Sequence, residues 1–198
     1  MTIIQFDYDG SPCNYNTDNC MCYVVKGKSQ PTQPVVAEIL KKYRQNQPKS
    51  KKLKLNIGCG FRPFMDFINL DYDENVFPDI VRNVDEGLPF DSNKFKEVYS
   101  SHVIEHVKDV FFFMSEIWRV SKNKGKITIL CPYAGFLEWA IQPDHVRLIN
   151  YNFFDRWRPE HISVQNELKQ TRGAMFNIIS KEIINEGKEL KFILEVVK

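Results

Sequence analysis

One short segment constrains this chain more than any other. Leu53-Lys54-Leu55-Asn56-Ile57 runs into Gly58-Cys59-Gly60. Alternating apolar residues stopped by two glycines read as a strand ending in a tight turn. Glycine lets backbone approach a ligand closely, because no Cβ stands in the way. In open parallel sheets such turns lie at the carboxyl ends of strands, where ligands collect. Phe61-Arg62-Pro63 follows instead of a third glycine, so the segment departs from the G-x-G-x-x-G pattern that seats a pyrophosphate on a helix.

Strand and helix signals alternate beyond that turn. Phe67–Leu70, Asp79–Val81 and Glu97–Tyr99 read as three further strands. An apolar stripe from Val107 to Val120 reads as a helix closed by Lys-Asn-Lys-Gly. Lys126–Cys131 reads as a fifth strand halted by Pro132, and Phe176–Asn185 with Glu189–Val197 as a hairpin about Glu186-Gly187-Lys188. The pattern predicts an α/β fold with a seven-stranded, mostly parallel sheet and a C-terminal antiparallel hairpin. Seven residues separate the second and third strands, and the first connection is nearly as brief, so both crossovers are shortened. One sheet face then needs another cover, either the N-terminal segment or a partner subunit, including a second copy of the chain.

Upstream, Val35–Gln45 carries apolar residues at helical spacing, and the first thirty residues show no period. We therefore expect an N-terminal extension over residues 1–34 and one domain over 35–198. The chain has 27 basic and 25 acidic side chains, a balance without the electrostatic footprint of nucleic-acid binding. Its longest apolar run, Val110–Met114, is far short of the roughly 20 residues that span a bilayer. No signal-like leader opens the sequence, and the five cysteines form no disulfide framework, so a cytoplasmic setting is expected. Cys13, Cys20 and Cys22 lack zinc-type spacing and a nearby histidine, and we expect no metal site there. His102-x-x-Glu105-His106 matches a zinc-protease signature, with both histidines on one helical face. It has no downstream acidic ligand motif, so His106 is expected to cap or pack at the start of the long helix.

Asp71 closes the second strand, where a carboxylate can accept hydrogen bonds from both ribose hydroxyls. With the glycine turn it points to a nucleoside-containing ligand. Taken together, five pieces in order resemble the class I S-adenosylmethionine-dependent methyltransferases, in the type 11 group that includes the ubiquinone- and menaquinone-biosynthesis enzymes. These are Leu55–Gly60, Ile68–Asp71, Leu88-Pro89-Phe90 with Phe95, Ser101–Val107, and Arg119-Val120 with Lys124-Gly125.

The resemblance implies a cofactor site of Asn56, Gly58, Cys59 and Gly60 under the methionine part, with Asp71 on the ribose. Tyr72 would pack on the adenine, Asn83 would accept from its amino group, and Val84 would offer a backbone N–H. Ser101 and His102 would line the pocket near the sulfur. The cofactor would be S-adenosyl-L-methionine, and its methyl would pass by direct displacement to a small-molecule acceptor. A non-catalytic cofactor-binding partner and an RNA- or protein-directed enzyme are the alternatives. The segment Gln142–Arg147, with Phe153-Phe154, resembles a loop that borders the acceptor in this group. There His145 would accept a proton and Arg147 would hold an acidic group on the acceptor. An Asp144–Arg147 ion pair that only shapes the loop is the competing reading. Tyr133, Phe136, Trp139 and Trp157 would supply an apolar wall or part of the core.

Overall fold

The computed structural model describes residues 52–64, 66–161 and 169–198. The expected N-terminal extension, the helix over Val35–Gln45 and the three early cysteines lie outside the described residues.

Seven strands form one sheet: β1 (Lys54–Ile57), β2 (Ile68–Asp71), β3 (Ile80–Val81), β4 (Phe95–Ser101), β5 (Ser121–Pro132), β6 (Met175–Ile184) and β7 (Glu189–Val197). Their order is β3-β2-β1-β4-β5-β7-β6. β1 to β5 pair in parallel, and β7 runs antiparallel between β5 and β6. The single reversed strand follows from the hairpin, because a short turn at Asn185–Gly187 can join only antiparallel neighbours. The connection from β2 to β3 carries one 3-10 turn, Glu74–Val76, and no α-helix, as the spacing predicts.

Helix α1 (Val110–Val120) covers the sheet with Phe113, Met114, Ile117 and Val120, all buried. They pack in one cluster with Leu55, Ile57, Val98, Ile127 and Ile129 from the central strands. Burying each such side chain contributes about 1.5–3 kcal/mol. Asp109 caps the helix by accepting the Phe112 N–H at 2.9 Å. Its other end has no loop, because Ser121 is both the C-cap and the first residue of β5, and its Oγ–H donates to the Ile117 carbonyl at 2.6 Å. Lys122-Asn123-Lys124-Gly125 is therefore part of a long β5 rather than a stop before it. Pro132 does not halt that strand, since it pairs with Glu189. β4 is likewise longer than Glu97–Tyr99, extending through Ser101.

Between β5 and β6 the described residues include a short helix α2 (Leu137–Ala140) and a 3-10 turn, Phe153–Trp157. Phe154 and Trp157 are core residues, and the Phe154 ring meets Phe192 edge-on at 4.7 Å. Trp157 therefore belongs to the core. Trp139, 43% exposed, belongs to the surface. No helix among the described residues is long and apolar enough to cross a membrane.

Candidate active site

β1 lies between β2 and β4, so successive connections leave it in opposite directions. The crevice at its carboxyl end is where ligands bind in open α/β sheets. The glycine turn fills that end. Gly58 and Cys59 both donate their N–H to the Leu70 carbonyl, at 2.8 and 3.1 Å. Gly60 donates to Asp71 Oδ2 at 2.8 Å, and Asp73 donates to Asp71 Oδ1 at 3.0 Å. The turn is thereby clipped to the end of β2.

Glycine is required at position 58 for two reasons. Its φ is +67°, and an added Cβ would lie 2.2 Å from Val103 Cγ2. Gly60 has a φ of +48°, yet a Cβ there would meet nothing within 4 Å. Space is thus open over the second glycine and closed behind the first.

Beneath the turn runs a polar network that local sequence patterns did not reveal. Asn56 donates to Asn69 Oδ1 at 3.0 Å and to the Arg62 carbonyl at 3.3 Å. Asn69 also accepts the Phe64 N–H at 2.8 Å and donates to Asp79 Oδ2 at 3.0 Å. The Asn56 side chain is buried in this network, so its part is to hold the turn from below. Tyr72 is 77% exposed beside Asp71. Asn83 uses its side-chain oxygen to cap the 3-10 turn Val84–Glu86, accepting the Asp85 N–H at 3.0 Å. One lone pair of that oxygen remains for a ligand. Val84 opens the turn, where a helical N–H has no partner within its own helix.

The segment after β4 departs from expectation. Residues 102–106 are turns, not helix, and His102 sits at φ +53°. Asp109, not His106, caps α1. The His102 N–H donates to the Leu130 carbonyl at 2.9 Å, which holds the ring at the mouth of β4 and β5. Its two nitrogens face two carboxylates: Nδ1 lies 3.3 Å from Glu105 Oε1 and Nε2 lies 3.4 Å from Glu189 Oε1. Burial pushes His102 down, but the two carboxylates outweigh it and raise it to about 9. His102 is therefore an imidazolium at neutral pH. Glu189 was invisible as a partner because it enters from β7.

The segment over the carboxyl end of β4 is fastened by Arg147. Its guanidinium donates to the Ile104 carbonyl at 2.5 Å and the Lys108 carbonyl at 3.2 Å. Two of its five N–H groups are thereby committed to the loop. Asp144 pairs with His106 instead of Arg147, with Nδ1 3.4 Å from Oδ2. His145 donates Nδ1–H to the Ala140 carbonyl at 2.8 Å, which leaves Nε2 with the lone pair. The Val146 N–H donates to the Glu105 carbonyl at 2.9 Å, bringing this segment onto the loop that follows β4.

The residues fit S-adenosylmethionine. A carboxylate offers about four acceptor positions. Asp71 gives two to backbone N–H groups, and the remaining positions are of the kind that can accept from a diol, beside the open space at Gly60.

Comparison with known proteins agrees. Residues 55–129 match the model of a methyltransferase domain. No curated protein matches the sequence. Among solved structures, a chain of the complex between the Haloferax volcanii Trm112 methyltransferase activator and a methyltransferase is 13% identical. The match covers 80% of this chain and 89% of that one, with a TM-score of 0.54. The PH0226 protein from Pyrococcus horikoshii is 14% identical over 85% and 92% of the two chains, with a TM-score of 0.50. An S-adenosylmethionine-dependent methyltransferase from Mesorhizobium loti is 18% identical over 78% and 96%, with a TM-score of 0.48. The first two of these likenesses show the fold. The family match runs from β1 into β5 and takes in the glycine turn clipped to Asp71, which marks residues 55–129 as a methyltransferase domain.

Proposed function

We propose that the enzyme methylates a small molecule, with its acceptor seated between the end of β4 and the segment 132–150. The observation that supports this reading is the Val146–Glu105 backbone bond, which lays that segment on the loop after β4, whose Val103 stands behind Gly58. S-adenosylmethionine supplies a methyl already activated on a sulfonium, so no protein nucleophile is needed. Cys59, buried under the turn, fits that view.

Each protein group then has a positioning task. Gly58 and Gly60 shape the floor, Asp71 accepts from the ribose, and Tyr72 offers its exposed ring to the adenine. Asn83 and Val84 flank that ring, and Ser101 with His102 line the methyl end. Such alignment is the main source of rate in a displacement of this kind. On the acceptor side His145 is the group with a lone pair able to take a proton. Arg147 serves by shaping the loop. Near-neutral charge favours a small acceptor over nucleic acid.

Calorimetric titration of S-adenosylmethionine and S-adenosylhomocysteine into the wild type and Asp71→Ala tests the cofactor site. Both ligands should bind the wild type, and the variant should lose at least tenfold in affinity, about 1.4 kcal/mol. An acceptor screen that follows S-adenosylhomocysteine release then tests the substrate class. Turnover on RNA or protein alone overturns it.

A further inference from the structure

Outside the cofactor turn, one cluster joins His145 to two groups, Glu105 and His106, that the methyl-transfer reading leaves without a role. Glu105, His106 and His145 each place one possible ligand atom within 4.8 Å of the others. Glu105 is 1% exposed, and among the described residues no group donates a hydrogen bond to either carboxylate oxygen. Its nearest cation is His102, whose Nδ1 lies 3.3 Å from Oε1. His102 is shared with Glu189, and Glu105 Oε2 has no hydrogen-bond donor among the described residues, so this buried carboxylate retains acceptor capacity for a further cation.

Both histidines carry the tautomer suited to that task. A carbonyl can only accept, so His145 must donate Nδ1–H to Ala140 and His106 must donate Nδ1–H to Asp144, at 2.8 and 3.1 Å. In both rings this leaves the lone pair on Nε2. Backbone carbonyls that fix the tautomer in this way are the usual outer partners of metal-binding histidines. The His106 Nε2 lies 4.0 Å from Glu105 Oε1, too far for a hydrogen bond. Both are acceptors facing each other, and a metal ion bonded to each at about 2.0–2.2 Å would fit between them. The two rings meet edge to face, with centroids 4.9 Å apart.

We propose that Glu105, His106 and His145 bind a divalent transition-metal ion of the zinc class. Two imidazoles and one carboxylate suit such an ion and not magnesium or calcium, which favour oxygen ligands throughout. Three protein ligands leave a coordination position open, and about a third of the His106 side chain reaches solvent. The ion staples the 140–147 segment to the loop after β4, joining acceptor side to cofactor side. It engages the His145 lone pair, so metal-loaded enzyme has no free base at that position. The site stands independently of which acceptor is methylated.

Chelator-treated full-length protein titrated with cobalt(II) tests this assignment. One equivalent should bind, with visible absorption of a nitrogen- and oxygen-ligated ion, and zinc(II) should displace it while millimolar magnesium does not. His106→Gln and His145→Gln should each weaken binding at least tenfold, and His161→Gln, an exposed control, should not. Glu105→Gln tests the carboxylate, and the two histidine variants, whose side chains are not fully buried, keep the proposal testable if that protein fails to fold. Failure to bind one equivalent overturns the proposal. So does a thiolate-to-cobalt band with affinity unchanged in both histidine variants, which assigns the ion to cysteines.

Discussion

Asp71 Oδ2 accepts the Gly60 N–H at 2.8 Å while Oδ1 accepts the Asp73 N–H at 3.0 Å, so one carboxylate both shapes the glycine turn and faces its open side. The double task predicts two separable effects. Asp71→Asn keeps one oxygen acceptor and removes the charge. Unfolding in urea should show a loss of about 1.5–3 kcal/mol, the range for hydrogen bonds to charged groups. Affinity for S-adenosylhomocysteine should fall in the same variant. Unchanged stability with lost affinity would mean that the turn holds its shape without the carboxylate.

The two glycines of the turn should respond differently. Gly58→Ala meets left-handed strain of about 1–2 kcal/mol. It also collides with Val103 Cγ2 at 2.2 Å, and overpacking adds about 1–3 kcal/mol. Gly60→Ala meets the strain alone. Adding Val103→Ala should relieve the collision at position 58 and leave the strain, giving a coupling of about 0.5–3 kcal/mol in a double-mutant cycle. Equal costs at both glycines would contradict this.

Glu116 should contribute to acid sensitivity. Its carboxylate accepts from Arg119 Nε at 2.7 Å and from the Leu88 N–H at 2.7 Å. The Arg119 hydrogen bonds hold Glu116 below its ordinary value of 4.5, against the upward push of burial. A depressed folded value means the stabilisation is complete above the unfolded value and is lost as pH falls through the folded one. Wild-type stability should therefore decline more steeply below about pH 5 than that of Glu116→Gln. Parallel pH profiles by chemical denaturation would count against this role.

Arg147→Lys should destabilise the ligand-free protein. Lysine keeps the charge but loses the planar fork that reaches the Ile104 and Lys108 carbonyls together. The expected loss is about 1–3 kcal/mol. Amides of residues 104–108 should exchange faster with deuterated water. A residue whose only task was to hold an acceptor would leave ligand-free stability unchanged.

Much of the architecture was legible before any coordinates. Leu55 and Ile57 alternate with polar neighbours, and the apolar spacing at Met114, Ile117 and Val120 is helical, so β1 and α1 follow from periodicity. Asp71 was legible because it directly ends an apolar strand. The boundaries of β4 and β5 were not. Lys122–Gly125 carries the composition of a turn, yet Ser121 takes the helix straight into the strand and pairs with Phe95. The turns at His102–His106 resisted reading for a similar reason. Their spacing suits a helix, but backbone bonds to Leu130 and from Val146 hold them outside one.

The chain's local chemistry thus determined the strand order of events along the sequence, the glycine turn and the acid that faces it, because these depend on residues a few positions apart. The tertiary structure decided what each charged or basic side chain does. His102 meets Glu189 from β7, Arg147 reaches carbonyls 43 and 39 residues upstream, and His145 comes beside Glu105 and His106. Periodicity records which face of an element is apolar. It carries no information about which polar groups meet once distant loops close over the same end of a sheet, and those encounters set tautomer, charge and ligand geometry.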